Sequence, residues 1–98
     1  MIRHLVFWKL KEENKVANAR EIKSQIEQLK GKIPGLLHIE IGVNHPEASA
    51  SNWDIVLHCD FENMAALEAY QVHPEHQKVA KFIGAVRTDR ACVDYETV

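Results

Sequence analysis

Residues 2–11 read IRHLVFWKLK, and the two faces of this segment constrain the fold more than any other stretch. Successive side chains of an extended chain point to opposite sides. Ile2, His4, Val6, Trp8 and Leu10 therefore share one side, and Arg3, Leu5, Phe7 and Lys9 the other. Both sides are largely apolar, which predicts a strand covered on both faces. A chain of 98 residues is expected to be one domain, spanning residues 1–98, with a modest core. A second subunit is the simplest cover for the remaining face.

The rest of the chain alternates between two periods. Val16, Ala19, Ile22, Ile26 and Leu29 recur at spacings of three and four, which predicts a helix over residues 14–32 with these side chains on one face. Gly31 and then Pro34-Gly35 stop it. LLHIEIGV, residues 36–43, sets Leu37, Ile39 and Ile41 against His38, Glu40 and Gly42, a strand with one face on a core. NHPEASASN is a polar loop. DIVLHCDF, residues 54–61, is a third strand with Ile55, Leu57, Cys59 and Phe61 on one side and Asp54, Val56, His58 and Asp60 on the other. Asn63 caps a short helix running to Tyr70, and Pro74 opens another, since its missing N–H costs nothing in a first turn. His76, Val79, Ala80 and Ile83 share one face of that last helix. DRACVDYE, residues 89–96, is a fourth strand.

The order strand, helix, strand, strand, helix, strand predicts an α+β, ferredoxin-like split βαβ domain, a four-stranded antiparallel sheet with its helices on a single face. Val56 and the second face of the first strand predict that the open side of the sheet meets the same face of a symmetry mate in a homodimer. In this topology the third and fourth strands flank the first. Cys59 and Cys92 then stand roughly 10 Å apart, too far for a bridge. Both are expected to be buried, reduced thiols.

Composition excludes several functions. Twelve Lys and Arg are scattered among fourteen acidic residues, whereas nucleic-acid binding needs clustered cations. No apolar run approaches the roughly 18 residues that span a bilayer, and the N-terminus turns charged too soon for a signal peptide. The expected location is the cytoplasm. The KLKEENK charges read as a solvated strand end, Trp8 and Trp53 as core or interface aromatics, and His38, His45 and His58 as surface or interface histidines.

The opening MIRHLVFWKLKEE, the IPG after the first helix, WDIVLHCDFENMAALEAYQVHPEH and the closing DRACVDYE resemble the stress-responsive dimeric A/B barrel family (Dabb) over essentially the whole chain. The pattern combines His4, Gly42, Asp54, Phe61, Tyr70, the His-Pro-x-His of residues 73–76 and Asp94-Tyr95. The resemblance implies a ferredoxin-like protomer dimerised into an α/β barrel. A plant branch of the family cyclises linear polyketides without cofactor or metal, and the tyrosine and last histidine of its motif are matched by Tyr70 and His76. A further pocket histidine of that branch is matched by Ile55, and the wide aromatic positions of its first helix fall near Ile22, Lys23 and Ile26. The wider set of dimeric α/β barrels includes cofactor-independent monooxygenases of phenols and quinols.

These residues define a candidate site. Three positions into a helix, His76 faces the positive dipole end, which disfavours imidazolium. A neutral imidazole can accept a proton from an acidic carbon or a phenol, while the Tyr70 hydroxyl donates to the resulting oxyanion. The expected pocket takes His4, Val6 and Trp8 from the first strand, Ile22 and Ile26 from the first helix, and Ile39, Ile55 and Leu57 from the middle strands. His73 and Val79 complete it. The expected ligand is a small aromatic or polyketide-like molecule, with no cofactor. No metal site is expected: His73 and His76 are three apart, but the intervening Pro74 keeps their rings from converging. Backbone carbonyls around residues 30–33 offer a generic helix end to a cation. Two other readings stay open: a non-enzymatic stress-associated dimer whose histidines fasten the helix junction, and a quinol or phenol monooxygenase.

Overall fold

A computed structural model of the chain describes residues 1–97. In chain order the elements are β1 (Ile2–Leu10), α1 (Lys15–Glu27), β2 (Leu36–Val43), β3 (Ile55–Phe61), α2 (Met64–Val72), α3 (Pro74–Val86) and β4 (Arg87–Glu96). The strands form one antiparallel sheet in the order β2-β3-β1-β4. This is the ferredoxin-like arrangement expected from the periodicity. The even-numbered residues of β1 are buried and the odd-numbered ones half-buried, so the helices cover one sheet face. Ile22, Ile26, Leu57 and Phe61 are almost wholly withdrawn from water there. Each such side chain contributes on the order of 1.5–3 kcal/mol through burial.

Four expectations are corrected. The α1 helix ends at Glu27 rather than near residue 32, because the chain tightens into turns, with Leu29 N–H donating to the Ile26 carbonyl (3.0 Å) and Lys30 N–H to that of Glu27 (3.3 Å). Leu29 and Ile33 still reach the core from these turns. At the other end Val16 is 66% exposed, on an open cleft between α1 and the loop that follows β2. Leu37 is also exposed: the β2–β3 register shifts between Leu36 and His38, so Leu37 is the unpaired residue of a bulge and loses its place on the core face. Finally, Cys92 is exposed while Cys59 is buried, because β4 is an edge strand beyond the cover of the helices. The two cysteines pair with different β1 residues on opposite sides, His4 and Val6, and both are free thiols.

Asp54 fastens the end of the sheet. Its carboxylate accepts from Leu10 N–H (2.8 Å), and its own N–H donates to the Trp8 carbonyl (2.9 Å). The uncovered face carries Leu5, Phe7 and Val56, all half-buried, with the Trp53 ring tilted against that of Phe7 at 6.2 Å between centroids and Val93 exposed beside them. Toward β2 that face becomes polar. The Arg3 guanidinium donates to Asp60 (2.9 Å), and His58 lies 3.2 Å from the same carboxylate.

Candidate functional site

The α2–α3 junction is built by Pro74. Lacking an N–H, proline ends α2 without orphaning a donor and starts α3. His73 before it adopts an extended backbone, and its Nδ1 accepts from Glu75 N–H (3.1 Å). That ring is spent on capping the helix. His76 then falls in the first turn of α3, and its ring lies against that of Tyr70 with centroids 4.1 Å apart. The His76 Nδ1–H donates to the Gln71 carbonyl (3.3 Å). This bond selects one tautomer and leaves the Nε2 lone pair available as an acceptor.

Behind His76, Tyr70 is completely buried, and its hydroxyl has no hydrogen-bond partner among the described residues. The nearby Cys59 thiol is a weak partner at best. An unmet buried hydroxyl costs roughly 1–3 kcal/mol, so its retention calls for an explanation outside packing. His4, on β1, lies 6.2 Å from the Tyr70 ring. Its Nδ1–H donates to the Asp94 carboxylate across the β1–β4 pairing, which orients the imidazole as carboxylates orient histidines in many sites.

These groups wall a cavity of about 170 Å³ between α3 and the sheet, with Val6, Trp8, Ile26 and Leu57 on its inner side, Ala80, Ile83 and Gly84 from α3, and Arg87 and Arg90 also in its lining. Burial is the chief cause that holds the His76 pKa below its ordinary value, and nearby His4, Arg90 and His73 add to it against the Gln71 bond. The same burial raises the Tyr70 pKa far above a free phenol and pushes the Cys59 thiol up to about 12. Tyr70 is therefore held as a donor and His76 as an acceptor.

Of the residues expected around the pocket, His4, Val6, Trp8, Ile26, Leu57, Tyr70 and His76 line this cavity. Ile22, Ile39, Ile55 and Val79 are packed in the core outside its walls, and His73 is turned to its cap. Arg87, Arg90 and the Asp94–His4 pair had not been anticipated. His4 and Asp94 stand in the sequence pattern but their contact does not, and parity on β4, which puts Arg90, Cys92 and Asp94 on one side, locates these residues only once β4 is registered against β1. Two groups of metal-ligating side chains also assemble across strands: His4, Cys92 and Asp94, and His38, Glu40 and His58 on the uncovered face. In each, the ligand atoms lie within 4.8 Å of one another. Other hollows, a cleft of about 630 Å³ between α1 and the loop around Pro46 and one of about 420 Å³ beside Phe7 and Trp53, hold no comparable set of buried acid–base groups.

Residues 2–97 match the family of the Stress Responsive A/B Barrel Domain. The chain belongs to this family. It is 27% identical over 99 residues to the stress-response A/B barrel domain-containing protein DABB1 of Arabidopsis thaliana, matching 97% of this chain and 46% of that protein. It thus spans about half the length of that curated relative. A dimeric ferredoxin-like protein from Bacteroides fragilis superposes with a TM-score of 0.89 at 34% identity, covering 98% of this chain and 95% of the other. A dimeric ferredoxin-like protein from Jannaschia gives 0.83 at 28% identity, with 98% of each chain covered. An antibiotic biosynthesis monooxygenase shares the fold alone, at 17% identity and a TM-score of 0.79 over 100% of this chain and 99% of that one. Among the described residues, no helix is long and apolar enough to cross a membrane.

Proposed function

We propose that this A/B barrel protein is a homodimer, joined through its uncovered sheet face, that binds one small aromatic molecule in each protomer's cavity and performs cofactor-independent acid–base chemistry on it. The observation that carries this reading is that Tyr70, whose buried hydroxyl meets at most the weak Cys59 thiol, lines one cavity with His76, whose Nε2 has no hydrogen-bond partner among the described residues. A bound carbonyl or phenol oxygen would satisfy that hydroxyl. In the reaction, His76 Nε2 takes a proton from a carbon beside a carbonyl, or from a phenol, and the Tyr70 O–H donates a hydrogen bond to the oxyanion left behind. His4, oriented by Asp94, adds a second polar group to the same wall. Size narrows the ligand. An engineered cavity of about 150 Å³ accommodates benzene, so about 170 Å³ suits a single ring and not an extended polyketide.

A second reading has its own observation. His76 ties the end of α2 to α3 through the Gln71 carbonyl while His73 caps α3, as in a non-enzymatic, stress-associated dimer whose histidines only fasten the junction. Proton exchange separates the two. Acetophenone in deuterium oxide should gain deuterium at its methyl carbon in the presence of the protein, and should do so more slowly with Tyr70→Phe and with His76→Gln. Exchange no faster than buffer, together with no thermal stabilisation by any phenol or aryl ketone, would leave the fastening role standing alone.

A further inference from the structure

Resting on the reading of the cavity as an aromatic site, we propose that its ligand bears a carboxylate, bound by Arg87 and Arg90, so that the molecule recognised is a single-ring aromatic acid. The cavity has two chemically distinct sides. Its inner wall is apolar, with Val6, Leu57 and Ile83, and includes Tyr70. Beside the β4 edge, which the helices leave uncovered, Arg87 and Arg90 belong to the lining. Neither forms a salt bridge among the described residues.

The carboxylate on the same face of β4, Asp94, is turned to His4 and forms no salt bridge with either arginine among the described residues. Arg87 stands at the C-terminal end of α3, where a cation also complements the helix dipole. Arg90 has no such role. It sits on an exposed edge strand opposite Trp8, on the cavity side, and its charge disfavours protonation of His76. A planar guanidinium presents paired N–H groups that match a carboxylate, and two of them at one opening select a planar anion over a neutral group of equal size. A ring of about benzene size with its acid group at the β4 edge would place a para substituent near Tyr70 and His76.

The test is calorimetric titration with para-hydroxybenzoate, its neutral isostere para-hydroxybenzamide, and para-cresol. The acid is expected to bind roughly tenfold more tightly than the amide, the scale of one hydrogen bond to a charged group. Arg90→Gln and Arg87→Gln should each reduce that preference and the double variant should abolish it, while para-cresol binding stays as in the wild type. Cooperative melting curves will show the variants to be folded. Equal affinity for acid and amide, or a preference that survives in the double variant, overturns the inference. If para-cresol still binds in a Tyr70-dependent way in that case, the aromatic site stands without it. If no ring compound binds, both fail.

Discussion

At Tyr70 the fold keeps a hydroxyl out of water and offers it, among the described residues, at most the weak Cys59 thiol, a state that calls for an explanation beyond packing. Tyr70→Phe removes the orphan without opening space. Chemical denaturation should therefore show stability unchanged or raised by about 1 kcal/mol, while binding of phenols falls. A loss of stability would mean that the hydroxyl bonds within the protein. His76 makes the reading pH-dependent. Its folded pKa lies below the ordinary value, so in the window just below about pH 6.5 the unfolded chain binds more protons than the folded one. The contribution of neutral His76 is complete above that value and is lost as pH falls through the folded pKa. His76→Gln should flatten the decline in unfolding free energy as pH falls below about 6.5, as read from urea curves at successive pH values.

Among the elements, the turn between α1 and β2 shows why a short motif can be strict. Gly35 has φ +80, and a Cβ there would stand 2.6 Å from the Ala66 Cβ of α2; Gly31 has nearly the same φ, +81, with open space around it. Gly31→Ala should cost about 1–2 kcal/mol from the left-handed backbone alone. Gly35→Ala should cost more, because helix and turn must also separate, and the difference between their urea midpoints measures that close approach. Equal costs would show that α2 yields freely. The strand order was legible from periodicity because four segments alternate at period two around helices of period 3.6. Leu37 was not, since a bulge changes which face a residue occupies while leaving the alternation in the sequence intact. Pro74 was legible as a helix start. That His73 would spend its ring on the cap depends on a rotamer, which no spacing encodes.

For the whole molecule, the uncovered sheet face explains the second apolar side of β1. Leu5, Phe7 and Val56 remain half-buried on it and Val93 is 48% exposed, an arrangement suited to a second copy. Sedimentation should find a dimer, and Val93→Asp, which would bury an unpaired charge in the contact, should shift it to monomer while the fold persists by circular dichroism. A monomeric wild type would remove the dimer from the account. The candidate site was legible only in part at this scale. Tyr70 and His76 lie close in sequence and point to each other, but His4 meets Asp94 across 90 residues, and Arg90 reaches the cavity through the same β1–β4 register. Partners brought together by tertiary pairing leave no local pattern. The central claim, that the cavity seats an aromatic ring against Tyr70 and His76, is tested most directly by titrating para-cresol into protein carrying carbon-13-labelled histidine and tyrosine and following the ring signals by NMR. The account predicts that the Tyr70, His76 and His4 signals move together and saturate, and that Tyr70→Phe weakens the response. Saturable shifts at His45, beside the α1 cleft, with the cavity signals unmoved, or no shifts at all, would contradict it.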